Sequence, residues 1–512
     1  MTPRRFALVA LVALTMTACG SRADFSVVQG GGSGDGNVVT GGSTGDSSTG
    51  AAGTTGTAGV ASSSTSGTSG VVGGSGSSTT GSITGAGSTG AASTGPVTAG
   101  TKTSSLAPIR LVYIIQGTAG ASALTGSQVS GDSDVNTRNM NALVAYANAH
   151  GGVGGRKISA TGQKSEATSQ QSDRLALCKH ITEDLKAQVL IDDNQYLTEE
   201  NWACFAQHKT AYFGNATGTD ETFLDKYAPY VSTTWLAENR SMIGVVRGGN
   251  QIGFYKGGKV GVLLADLPTS HKLADTVLKP ELAKIGVTNV TYRYISNDSG
   301  GSQSSQTNAA VLAFQQAGIN RIIFFHNILV YLAFTNQAQS QGYHPRYAFS
   351  DYQGMTGVAA YYGKGNQNTG SIAISSSASQ VLEDNSQKAT DTSKPYDRAK
   401  MSPGQRRCLD ILTKATGKNY YDPTASGDSL GTWFFYCDEF FLWWEGAQKI
   451  GASWTPADNG RGISMLGRSY LDTLQYATDW SSGRHDGASA YRVGNYDNTC
   501  GCYVKATGWL PI

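Results

Sequence analysis

The run Gly427-Asp428-Ser429-Leu430-Gly431 has the Gly-x-Ser-x-Gly spacing of a hydrolase nucleophile elbow, in which a strand delivers the serine to a turn sharp enough to expose its hydroxyl. The residues before it, Tyr420-Tyr421-Asp422-Pro423-Thr424-Ala425-Ser426, read as a loop with a proline turn. Ser429 is therefore expected near a helix start and not as a nucleophile. Gly253-Phe254-Tyr255-Lys256-Gly257-Gly258-Lys259-Val260 approaches phosphate-loop spacing, but Val260 stands where a hydroxyl must meet magnesium, and the run precedes a strand where a phosphate loop follows one. It reads as a turn. The 7 histidines are scattered without a His-Glu-x-x-His or other paired-ligand spacing. Cys500-Gly501-Cys502 lacks the further Cys or His that metal chemistry would need. No catalysis, metal or cofactor is expected; a secreted hydrolase using Ser429 is the third-ranked reading.

The elements that would position any site alternate along the chain. Strands are expected at 110–115, 157–161, 188–191, 210–213, 259–264, 289–295, 321–325 and 346–349, with helical patterns between them. Such alternation predicts doubly wound parallel sheets. Met140, Leu143, Val144 and Ala147 repeat at helical spacing, and the run Asn148-Ala149-His150-Gly151-Gly152-Val153-Gly154-Gly155-Arg156-Lys157-Ile158 follows. Its glycines let the chain leave the helix through positive φ and turn back onto the sheet. The aromatic run 433–444 reads as a helix with a broad buried face. From Tyr491 to Leu510, short β-like runs broken by turn residues predict a terminal hairpin.

On the glycine-rich turn the chain resembles the type I solute-binding proteins of ABC importers, specifically the branched-chain amino acid (leucine, isoleucine, valine) receptor group, whose first helix ends Asn-x-x-Gly-Gly-(Ile/Val)-x-Gly-Arg-x-Ile. The likeness runs, more weakly, from about residue 107 to the end. It implies an α/β fold of two doubly wound parallel-sheet lobes joined by a multi-strand hinge. The implied lobes are 106–234 with 353–466, and 235–352 with 467–512. In open α/β sheets, ligands bind beyond the carboxyl ends of strands. The resemblance therefore implies ligand contacts from Gly117, Thr118, Asp193, Asn194, Gln195, Tyr196, Asn215 and Thr217 in the first lobe. In the second it implies Thr269, Ser270, His271, His326, Asn327, Asp351 and Tyr352. It also implies a disulfide between Cys178 and Cys204, a monomer, and delivery of a small polar solute to an ABC permease. One departure stands out: where the family places small hydroxyl residues after the third strand to hold a ligand carboxylate, this chain has Asp192-Asp193-Asn194-Gln195-Tyr196. Two carboxylates would repel a third, whereas Asp351 could pair with an ammonium. Amides, diols or a cation fit these loops as well as an amino acid does.

The first eighteen residues combine Arg4 and Arg5, a short apolar segment from Phe6 and small residues before Cys19. A dozen apolar residues are too few to span a hydrocarbon core of about 30 Å, and the pattern is that of a secretion signal. It resembles a lipoprotein signal peptide, with Cys19 as the lipidated first residue of the mature chain on the bacterial surface or in the periplasm. The alternative is simple cleavage near Ala18. Residues 19–105 are almost only Gly, Ser, Thr, Ala and Val and cannot form a core. They are expected to be a disordered tether with a root-mean-square span of roughly 50 Å, with or without sugars. The tether also suits a surface signalling receptor of the same fold that feeds no permease. With 39 basic and 37 acidic residues and no basic run, a nucleic-acid partner is not expected. Setting Cys19 aside from the 7 cysteines leaves an even number in an exported chain, which predicts three disulfides. Cys408 with Cys437, on two later helices, is the second pair, and Cys500 with Cys502 follows by elimination.

Overall fold

A computed structural model describes residues 106–117, 133–166, 170–192, 197, 199–214, 219–297, 301–351, 367–377, 395–422, 430–474, 476–481 and 483–512. Two sheets organise them. The first lobe runs β1 (Ile109–Gly117), α1 (Ser133–Ala149), β2 (Ile158–Glu166), α2 (Gln171–Lys179), β3 (Val189–Asp192), α3 (Glu199–Gln207), β4 (Ala211–Gly214), α4 (Glu221–Tyr227) and β5 (Val231–Ser232). The second lobe runs α5 (Glu238–Gln251), β6 (Val260–Ala265), α6 (Pro268–Leu273), α7 (Lys279–Lys284), β7 (Val290–Ile295), α8 (Gly301–Gln316), β8 (Arg321–Phe325), α9 (Ile328–Ser340), β9 (Arg346–Ser350) and β10 (Ile372–Ser375). Then follow α10 (Pro403–Thr416), α11 (Leu430–Ile450), α12 (Asn459–Ser464), β11 (Ala490–Asp497), β12 (Cys502–Lys505) and β13 (Leu510–Pro511).

The first sheet has the order β2-β1-β3-β4-β5, all parallel. The second continues β7-β6-β8-β9-β10 in parallel and adds β11 and β12 antiparallel. The inner strands of each sheet are buried on both faces, as parallel sheets require, while the edge strands β2 and β7 are partly exposed. Along β1, Leu111 and Tyr113 enter the core made with α1, α10 and α11, while Val112 and Ile114 enter the core made with α2 and α3. That is the period-two alternation of a strand. In β8, Ile322 and Phe324 pack with α8 and α9, and Ile323 and Phe325 pack with α5 and the α6–α7 stretch. The aromatic run proves to be core: Phe440, Phe441 and Trp443 of α11 are fully buried.

The turn after α1 shows why its glycines are required. Gly151, Gly152, Gly154 and Gly155 all hold positive φ, from 56° to 94°. Asn148 clips the helix end to β2, donating Nδ2–H to the Ile158 carbonyl at 2.9 Å and accepting from the Ile158 N–H at 2.8 Å. The Gly152 carbonyl accepts from Trp444 Nε1 and Gln448 Nε2 of α11, and Arg156 donates to the Trp454 carbonyl. A Cβ on Gly154 would stand 2.0 Å from the Ala452 nitrogen. The motif is thus a weld between the start of the first lobe and a helix about 290 residues later. Elsewhere, Ser402 and Gln405 form a capping box at the start of α10, satisfying two helix-end groups reciprocally.

Disulfides join α2 to α3 (Cys178–Cys204), α10 to α11 (Cys408–Cys437) and the β11–β12 turn to β12 (Cys500–Cys502). Two lobe boundaries differ from expectation. The return to the first lobe does not come at 353, because β10 lies between β9 and β11 in the second sheet. Nor does the last passage come at 467: Tyr470, Leu474 and Trp480 still pack in the first lobe's core, and Ala488 is the first residue back in the second. Nothing local marks β10, because a four-residue apolar run among serines carries no periodicity that separates strand from buried helix. Cys19, the tether and Ser429 lie outside the described residues.

Candidate functional site

The carboxyl ends of the parallel strands set the site. In the first lobe these are Gly117, Asp192, Gly214 and Ser232, and in the second Ala265, Ile295, Phe325 and Ser350. The passages between lobes are tied together at this edge. The Thr233 N–H donates to the His485 carbonyl, and the Tyr476 N–H to the Ser376 carbonyl. Asp486, nearly fully buried, accepts from the Ala237 N–H at 3.0 Å and pairs with Arg240 at 2.5 Å. Arg240 also donates to the Ala488 carbonyl. A buried ion pair of this kind is stable because each charge keeps several polar partners. No local signal reveals it, since its partners lie 246 residues apart.

The implied ligand residues of the second lobe divide sharply. Thr269 reaches the first lobe, donating to Glu199 Oε2 of α3. Ser270 is fully buried, and its hydroxyl has no partner among the described residues. His271 turns to its own lobe's surface, bonding Asp266 at 2.7 Å and stacking on Tyr294 at 3.8 Å. His326 is locked: Nδ1 accepts from the Asn327 N–H at 2.8 Å, so Nε2 carries the proton donated to the Ile295 carbonyl at 3.0 Å. Burial lowers its pKa to about 4, and a second ring proton would confront the Asn327 N–H. Asn327 is the N-cap of α9, accepting from the Val330 N–H and donating to Asn297. These two are structural pins rather than free ligand groups.

Asp351 is fully buried and holds the segment after β10. Its Oδ2 accepts from the Ser375 hydroxyl, the Ser376 N–H and hydroxyl, and the Ser377 N–H, at 2.7–3.2 Å. Burial raises its pKa, and the serine hydrogen bonds oppose that rise. Its Oδ1 has no partner among the described residues. In the first lobe, Gly117 ends β1 opposite Glu166 of β2. Thr118, Asp193, Asn194, Gln195, Tyr196, Asn215, Thr217 and Tyr352 lie outside the described residues. Asp192 is fully buried and accepts from the Tyr212 hydroxyl at 2.7 Å. That hydrogen bond engages one oxygen of Asp192 and does not by itself neutralise the carboxylate.

Three features escaped the sequence reading. Trp235, on the first passage between lobes, is buried and stacks on Phe435 of α11 at 4.6 Å, with its indole N–H unpartnered among the described residues. Lys272 of α6 donates across the lobes to Asp220 at 3.1 Å. Glu199, Asp220, Thr269 and Lys272 line a cavity of about 360 Å³ between the lobes. A larger cavity, about 750 Å³, lies within the first lobe between α1 and α10, lined by Ala142, Tyr146, Arg406, Ile411 and Lys414 among others. It is a groove between two helices of one lobe and not part of the cleft. Among the described residues no group of His, Cys, Asp or Glu could hold a metal ion, and no helix is long and apolar enough to cross a membrane.

No protein-family model and no curated protein matches the sequence. Solved structures do. A branched-chain amino acid ABC transporter protein from Thermus thermophilus with bound valine aligns at TM-score 0.53 and 12% identity, over 80% of this chain and 98% of that one. A solute-binding protein of an ABC transporter from R. palustris, in complex with 4-hydroxybenzoate, aligns at TM-score 0.52 and 13% identity, over 79% and 97%. A possible leucine/isoleucine/valine-binding protein from Rhodopirellula baltica aligns at TM-score 0.53 and 11% identity, over 78% and 96%. At such identities the likeness establishes the fold: the bilobal α/β architecture of type I periplasmic solute-binding proteins.

Proposed function

We propose that this chain is an extracytoplasmic solute receptor of an ABC importer, anchored through a lipid on Cys19, that captures a small polar solute between its lobes and hands it to a permease. The observation that carries the reading is the pair of parallel sheets of matching strand order, whose carboxyl edges flank passages that cross between the lobes. Such a frame closes by population shift: a solute that touches both lobes binds the closed form better and stabilises it. No covalent chemistry is needed. The solute class we favour is an amino acid or a related small carboxylate. Asp351 has a carboxylate oxygen without a partner among the described residues, which suits a cationic group such as an ammonium.

The test is native mass spectrometry on residues 106–512, exported through an oxidising compartment, followed by thermal shift with amino acids, aromatic acids, amides, polyamines and sugars. A discrete added mass lost on mild denaturation, or a melting shift with one class, is the expected result. A bare mass with no shift in any class would sink the receptor reading.

A further inference from the structure

Two contacts hold the lobes together beside the strand-end loops. Thr269 of α6 donates to Glu199 at the start of α3. Three residues along the same helix, Lys272 donates to Asp220, whose other oxygen caps α4 by accepting from the Phe223 N–H at 2.7 Å. Asp220 is nearly buried and Lys272 half-exposed. Both contacts must break when α6 leaves α3 and α4, because donor and acceptor sit on different lobes.

Among the described residues, charged groups from three elements surround Glu199. Glu200 lies beside it on α3. From α4 come Asp220, Lys226 and Tyr227, and from α6 Lys272. His271 of α6 faces Asp266 instead, and Glu221 of α4 is engaged by Asn239 and lies 3.9 Å from Arg240. Glu199, Glu200 and Asp220 all belong to the first lobe, so opening does not separate them, and Lys272 is the charge that α6 brings to them. Burial raises the pKa of Glu199, and Glu200 and Asp220 raise it further against the Thr269 hydrogen bond.

We propose that Glu199 with Thr269 and Asp220 with Lys272 form a latch across the cleft rim that sets the open-to-closed ratio before any solute binds. This rests on the receptor reading for its purpose, because a latch that raises the closed fraction raises apparent affinity in proportion. Lys272 closes the rim through attraction, which salt screens. Glu199 closes it by accepting a hydrogen bond from Thr269.

The experiment reads ligand-free chain by double electron–electron resonance, with spin labels on noncanonical residues at the exposed positions Ala176 of α2 and Ala283 of α7, leaving the disulfides untouched. Lys272→Met and Thr269→Val should each raise the open fraction by a few-fold, on the order of an exposed ion pair or one hydrogen bond. Asp220→Asn, which keeps the cap on α4, should match Lys272→Met. Glu199→Ala, which removes the acceptor of the Thr269 hydrogen bond, should match Thr269→Val. Added salt should open wild type and leave Lys272→Met unchanged. Identical distance distributions in wild type, Thr269→Val and Lys272→Met, with native circular dichroism, would overturn the latch. Because no solute enters these measurements, a chain with a working latch and no ligand defeats the receptor reading alone, and a chain that binds solute without these shifts defeats the latch alone.

Discussion

The two lobes share one strand order, β2-β1-β3-β4-β5 against β7-β6-β8-β9-β10, yet they are covered differently. The second lobe buries its two sheet faces under α5 to α9, all drawn from residues 238–340. The first lobe covers one face with α2 and α3, close by in sequence, and the other with α1 together with α10 and α11. Those last two helices arrive only after the second lobe has been traversed. Contacts across such separations must overcome a larger closure entropy. The first lobe accordingly concentrates its fastenings there: the Gly152 carbonyl held by Trp444 and Gln448, Arg156 on the Trp454 carbonyl, and the Cys408–Cys437 bond. The lesson is that the most legible motif in the chain, the glycine-rich turn, serves lobe assembly and not ligand capture.

The largest way to break this comparison is Gly154→Ala. Its φ of 56° and the 2.0 Å approach of the Ala452 backbone leave no place for a methyl group, so the first lobe should lose about 3 kcal/mol or more. Gly286→Ala in the second lobe is the control, with positive φ but open space around it, and should cost about 1 kcal/mol. Lobe-resolved hydrogen exchange separates the two; equal losses would refute the view that the turn is a weld.

Acid should pull the lobes apart in stability. His326 has a folded pKa of about 4 against an ordinary 6.5, so the unfolded chain binds more protons between those values. The second lobe should lose up to about 3 kcal/mol as pH falls from 6.5 through 4. In the first lobe, burial raises Asp438 from 3.8 to about 6, against hydrogen bonds from the Thr473 N–H and Tyr470. There the folded form binds more protons, so this group's contribution grows on acidification and is lost as pH rises through about 6. Exchange protection corrected for intrinsic rate, read at pH 7 and pH 5, should move in opposite directions in the two lobes. Asp438→Asn should abolish the gain in the first lobe while the loss in the second persists.

The smallest expected effect sharpens the role of the clip. Asn148→Ala removes two hydrogen bonds to Ile158 and should cost the first lobe about 1–2 kcal/mol with no change in the second, as measured by urea titration followed by exchange. An effect in both lobes would mean that the clip acts on the whole molecule.

Features with a local cause are legible in the chain. The eight expected strands appear within a few residues of their places, the α1 glycines take positive φ, and the terminal hairpin forms between β11 and β12. Periodicity and turn chemistry act over a few residues, so they are written in order along the chain. The candidate site was legible only as a set of strand ends. His326 and Asn327 stand where expected, but their polar groups are taken by Ile295, Val330 and Asn297.

What the sequence by itself determined is therefore the alternation of strand and helix, the two-sheet plan and the loops at which a solute would be met. Only the tertiary structure decided which side chains at those loops remain free, where β10 joins its sheet, and that Arg240 meets Asp486 and Glu199 meets Thr269. The reason is physical. A hydrogen bond or ion pair between residues tens to hundreds of positions apart depends on how two surfaces are brought together, and residue type at either end does not specify the partner.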